Sequence, residues 1–107
     1  MTRAGEDVLV GVSFQASVIY WRGPSPFFFA PIPPPYDEKL KQVSKAVTYG
    51  WGMVPVEVKI GEVAFTTALF PKDGTYFLPI KAAVRRKANI TAGDLIRIEM
   101  TVQPTGR

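Results

Sequence analysis

The stretch from Tyr76 to Val102, YFLPIKAAVRRKANITAGDLIRIEMTV, limits what this chain can fold into more than any other segment. It reads in order as a strand, a proline, a short basic helix, a Gly-Asp turn and a second strand. Pro79 stands where a helix can begin, because the N–H that proline lacks would be unpaired in a first helical turn anyway. Ile80, Ala83, Val84 and Ala88 share a face, which predicts a helix over about 80–88. After the Gly93-Asp94 turn, Ile96, Ile98, Met100 and Val102 alternate with Arg97, Glu99 and Thr101, the period of a strand with one buried face.

The same order occurs earlier, from Phe27 to Ile60. Phe27-Phe28-Phe29 is a compact apolar run of strand type, and the prolines from Pro31 to Pro35 end it because proline supplies no ladder donor. A helix is expected over about 37–47, with Leu40, Val43 and Val47 on one face and Asp37, Lys41 and Lys45 on the other. Asp37 and Glu38 in its first turn suit the helix dipole, and Gly50 is the expected C-cap. Val54, Val56, Val58 and Ile60 then alternate as a strand. Gly61 and Lys72-Asp73-Gly74 are hairpin signals on either side of a strand over Glu62–Phe70. Ahead of both copies, apolar residues fall at every even position from Val8 to Tyr20, a half-buried strand expected to bend near Gly11. Each copy alone would leave a hydrophobic sheet face bare, so the two should close on each other in one domain over residues 1–107, with flexible ends at about 1–7 and 103–107.

The chain has no cysteine and no histidine. Thiolate or imidazole zinc sites, disulfides and Ser-His or Cys-His catalytic pairs are therefore excluded. The strand carboxylates Glu57, Glu62 and Glu99 fall at outward positions, and Asp73 and Asp94 sit in turns where they can bond backbone N–H groups. No pair has the contrasting environments of an acid and a base, so a non-catalytic protein without a cofactor is expected. Glu6 and Asp7 precede the first apolar run, and Ser13, Gln15 and Ser17 interrupt it, which argues against a signal peptide or a membrane span and for the cytoplasm.

The net charge of +4 lies mostly in the second half. Lys81, Arg85, Arg86 and Lys87 cluster on the second helix, with Lys72, Arg97 and Arg22 as further candidates for polyanion contact. The plainer reading is a solvated helix whose last-turn cations suit the dipole. Trp21, Trp51, Tyr36, Tyr49 and the Phe27–Phe29 run flank the glycine and proline turns. Most of these rings should fill a core, while some could line a barrel mouth for a small apolar or planar ligand. Partner classes left open are nucleic acid and protein, with no membrane contact, for a monomer or a weak homodimer.

Leu78-Pro79, Val84-Arg85 and Gly93-Asp94-Leu95-Ile96-Arg97-Ile98 resemble the double-split β-barrel group of AbrB-type transition-state regulators and MazE-type antitoxins. A wider likeness, from about Phe14 to Val102, is carried by Trp21, Gly50-Trp51-Gly52, Val54-Pro55-Val56, Ile60-Gly61, Leu69-Phe70-Pro71, Leu78-Pro79-Ile80-Lys81 with Val84-Arg85, and Gly93-Asp94. These resemble a family of small bacterial domains of unknown function, sometimes found beside a YdeI/OmpD-associated, bacteriocin-protection-type domain. The resemblance implies a mainly β fold: a small pseudo-duplicated (double-split) β-barrel of seven or eight strands with two short peripheral helices. It implies no activity. In AbrB-type proteins each chain supplies half of the barrel, whereas this chain carries both halves.

Overall fold

The computed structural model describes residues 10–22, 27–47 and 53–102, with residues 43–47 described through the backbone alone. The described elements are β1 (Val12–Ser17), β2 (Ile19–Trp21), β3 (Phe27–Pro31), α1 (Tyr36–Val47), β4 (Val54–Ile60), β5 (Val63–Lys72), β6 (Thr75–Ile80), α2 (Ala82–Ala88) and β7 (Leu95–Val102). The strands form one seven-stranded sheet in the order β1-β7-β4-β5-β6-β3-β2, antiparallel at every junction. The sheet curls into a half-barrel. Its two edge strands, β1 and β2, are consecutive segments of chain separated only by Val18.

The registers show an internal two-fold relation. Ala30 pairs with Leu78 where β3 meets β6, and Lys59 pairs with Glu99 where β4 meets β7. About these two pairs, β3 maps onto β6 and β4 onto β7, and each mapped strand lies beside its own mate. The outer strands follow: β5 pairs with β4 through Val63–Leu69 and with β6 through Phe70–Lys72, as β1 pairs with β7 and β2 with β3. The expected repeat of strand, helix and strand is thus built into the hydrogen-bond ladder. It also extends to the strand ahead of each copy.

Alternation sets the core. Val54, Val56, Val58 and Ile60 of β4 are buried, as are Ile96, Ile98 and Met100 of β7, and they join Phe14, Ala16, Val18, Leu69, Leu78 and Ile80 in one cluster. Leu40 of α1 and Val84 of α2 close that cluster from the helices. Two hairpins match their turn signals. Asp73 and Gly74 both take positive φ (55° and 79°), the geometry of a type I′ turn, and Gly61 (φ 61°) leads a two-residue loop of the II′ kind.

Several boundaries differ from expectation, and the strand expected over Glu62–Phe70 runs Val63–Lys72. The helix expected over 80–88 starts at Ala82, with Lys81 as an extended N-cap, because Pro79 and Ile80 belong to β6 opposite Phe29 and Phe28. Pro79 is tolerated there because β5 pairs with β6 only as far as Phe77, so on that side no partner needs its N–H. The first helix begins at Tyr36 rather than at 37. The strand break expected near Gly11 falls at Val18, where the chain leaves β7 for β3. Val8 lies outside the described residues, as do Tyr49, Gly50 and Trp51.

The break at Val18 is held by the Gly93-Asp94 turn. Val18 N–H donates to the Asp94 carbonyl at 2.8 Å, and Gly93 N–H donates to the Val18 carbonyl at 2.8 Å. The Asp94 carboxylate accepts the Thr91 N–H at 2.9 Å, which rigidifies the turn, and Gly93 supplies its φ of 89°. No helix among the described residues is long and apolar enough to cross a membrane.

Candidate functional site

The cations of α2 do not act as one group. Arg85 is half-buried: its Nη1 donates to the Ile80 carbonyl at 2.8 Å, and its guanidinium carbon lies 3.8 Å from the centroid of the Phe28 ring. It ties the helix to the end of β6 while its guanidinium sits over an aromatic face. Lys81, Arg86 and Lys87 are exposed. Lys72 ends β5 beside the Asp73-Gly74 turn, and Arg97 stands on the outer side of β7 opposite Gln15. Arg22 is exposed directly after β2. These cations are spread over α2 and its N-cap, two strand positions and the residue after β2 rather than set in a row.

Two grooves open on the outer side of the sheet. One, of about 460 Å³, is lined by Glu57, Lys59, Glu99 and Thr101 among others. Across its floor Lys59 stands opposite Glu99, so those two charges offset, while Glu57 stands opposite Thr101. The other, of about 520 Å³, lies between Met53, Pro55, Thr66, Ala68, Pro79 and Lys81.

The aromatic residues divide into two groups. Tyr36 packs on Phe14 at 5.4 Å against the main core, at the start of α1. Trp21 belongs elsewhere. Along β3 the period of two sends Phe28 and Ala30 toward the core and Phe27 and Phe29 to the opposite side of the sheet. There Trp21 meets Phe27 at 5.6 Å, Phe27 meets Phe29 at 5.4 Å, and Phe29 meets Phe77 at 4.6 Å. Phe70 completes the group, 5.7 Å from Phe77. Phe29 and Phe77, mates under the two-fold relation, are buried on this side, while Trp21 at the rim keeps 43% of its surface exposed. Ring stacking on an outer sheet face therefore forms a second apolar cluster, separate from the core.

Beside that cluster lies β2, the one strand among the described residues whose every residue is exposed. Ile19 and Tyr20 are each 40% exposed, and Leu95, opposite Ser17 just before the break, is 63% exposed. Tyr20 rests on Phe28 at 4.8 Å, so the stack Tyr20–Phe28–Arg85 lies on the core side of the strand and Ile19–Trp21–Phe27 on the outer side. The sequence pointed to Trp21 and to the phenylalanine run but not to this partition, because three consecutive phenylalanines carry no alternation to say which face is inward.

A family described as a domain of unknown function, DUF1905, matches residues 14–100. The chain belongs to the DUF1905 family. The matched span runs from Phe14 in β1 to Met100 in β7, and so includes both halves of the two-fold, the β2 edge and both helices. No curated protein matches the sequence.

Proposed function

We propose that this DUF1905 domain is a non-catalytic binding module that holds a partner polypeptide on the β2 side of its sheet. The observation that carries this reading is Trp21: a large ring left 43% exposed on an edge strand, at the rim of a preformed aromatic cluster. Aromatic side chains in such positions contribute large contact area at low conformational cost, and exposed apolar patches on otherwise polar surfaces mark interaction sites. The carboxylates give catalysis little support, since none of those described is buried. The basic helix gives the nucleic-acid reading little support, because Arg85 at its centre is engaged with Ile80 and Phe28.

For the fold we propose the finer description of a double-split barrel of the AbrB-like group, with both halves supplied by one chain. The paired mates β3/β6 and β4/β7 support it.

The functional reading is tested by selecting ligands from a displayed random-peptide library on the wild-type domain and on Trp21→Glu. The expected result is a set of wild-type ligands that Trp21→Glu does not retain. Failure to enrich any ligand, or equal retention by the variant, refutes the reading.

A further inference from the structure

The β2 edge carries an open backbone slot that its two-fold mate lacks. Ile32 N–H donates to the Tyr76 carbonyl at 2.9 Å, so Ile32/Tyr76, Ala30/Leu78 and Phe28/Ile80 are the hydrogen-bonded pairs between β3 and β6. The polar groups of Phe27 and Phe29 must then point the other way, to Trp21 and Ile19 of β2. That parity turns the N–H and C=O of Tyr20 away from β3. Two residues earlier, Val18 turns its own pair to the same side, where Asp94 and Gly93 occupy it. Beyond that turn no described residue pairs with this side of β2, and among the described residues the Tyr20 backbone has no partner there.

In the other half, the residue equivalent to Tyr20 is Pro71: Tyr20 faces Phe28, Phe28 maps onto Tyr76, and Tyr76 faces Pro71. Proline has no N–H to offer, and Lys72 follows it. Proline and lysine are common means of protecting a sheet edge from strand addition. One half of the molecule is protected in this way, and the other presents Ile19-Tyr20-Trp21.

We propose that an extended peptide of alternating apolar and acidic residues adds to β2 as an antiparallel strand, in line with β7, and bonds to the Tyr20 backbone. The proposal rests on the reading of the domain as a partner-binding module and names the partner's chemistry. Strand addition draws affinity from main-chain bonds and specificity from alternate side chains. On the outer side the added strand meets Ile19, Trp21 and Leu95, which select apolar residues. On the other side stand Tyr20 and the stacked Arg85, with Arg22 next in the chain, and neither arginine has a carboxylate partner among the described residues. These select acidic residues, as the domain's net charge of +4 also does.

The probes are the synthetic peptide acetyl-Val-Glu-Val-Asp-Val-Glu-Val-amide, the same peptide with lysine at each acidic position, and the acidic peptide N-methylated on alternate backbone amides. Binding is read from Trp21 fluorescence in a Trp51→Phe background and from amide exchange of the full chain by NMR. The acidic peptide is expected to slow Tyr20 amide exchange about tenfold or more at saturation. The lysine peptide should bind about tenfold more weakly or worse, and the N-methylated peptide should not protect Tyr20. Tyr20→Pro, which copies what the other half carries at Pro71, should abolish binding; the N-methylated peptide gives the same information if that variant does not fold. Binding of the acidic peptide without protection of Tyr20 overturns strand addition but leaves the binding-module reading standing. Equal binding of the lysine peptide, or displacement by single-stranded DNA, overturns the charge assignment. Protection of Tyr20 with concentration-dependent dimerisation and no peptide assigns the edge to a second copy instead.

Discussion

Exchanging Ala30 and Leu78 should restore most of the stability that either single change removes. Both side chains are fully buried, and they face each other at the point where the two-fold relation crosses the β3–β6 junction. Leu78→Ala leaves a leucine-sized cavity in the core and should cost about 3 kcal/mol, within the range of 2–5 for such changes. Ala30→Leu forces extra volume into a filled layer, at a cost of about 1–3 kcal/mol. Independent sites would make the double variant about 5 kcal/mol less stable than wild type. If the positions are equivalent, the exchanged leucine occupies the space its mate vacated and the total volume is conserved. The double variant should then lie within about 1.5 kcal/mol of wild type, the usual cost of a volume-conserving swap. Urea denaturation of the four proteins, with midpoints compared at constant m-value, completes the cycle. Additive losses, with no recovery in the double variant, would refute the two-fold relation as a description of the core.

Three further outcomes follow from the same contacts. Arg85→Ala should lower stability by about 1–2 kcal/mol, through loss of the bond to the Ile80 carbonyl and of the Phe28 stack, while Arg86→Ala leaves the thermal midpoint unchanged. Gly93→Ala meets no neighbouring atom but must hold φ near 89°, which should cost about 1–2 kcal/mol, or roughly 4–8 °C in midpoint per kcal/mol for a domain of this size. Trp21→Glu should leave the melting curve close to wild type while abolishing ligand retention, since Trp21 lies at the rim of its cluster rather than in the core.

Much of the fold could be read from residue order. The alternation in Val54–Ile60 and Ile96–Met100 named the inward positions correctly, because strands buried on one face display their period openly. The doubled order of strand, helix and strand was also visible, and the ladder realises it. Less legible was anything set by long-range pairing. Pro79 resembles a helix start, yet its pairing opposite Phe29 keeps it in β6, since β5 has already ended on its other side. The break at Val18 has no local marker, because the Gly93-Asp94 turn that holds it lies far along the chain. Gly11, the glycine that looked like the bend, instead precedes β1 and donates its N–H to Thr101 Oγ1.

The candidate site shows the same division. The basic residues of the second helix were conspicuous in sequence, and their spacing could not reveal that Arg85 is bonded to Ile80 and stacked on Phe28. Trp21 and Tyr36 could each be read from sequence as core filling or as part of a barrel mouth; they stand in separate clusters, one on the outer sheet face and one against the core. The open slot at Tyr20 depends on hydrogen-bond parity across three strands. No local pattern encodes it.

Amide exchange at Tyr20, compared with Ile19 and Trp21, tests the open-edge account most directly. In the free domain Tyr20 should exchange rapidly while its two neighbours, bonded to β3, are protected, and the alternating acidic peptide should bring Tyr20 to their level. A Tyr20 amide that is already protected without ligand, or that stays rapid when the peptide is bound, would contradict it.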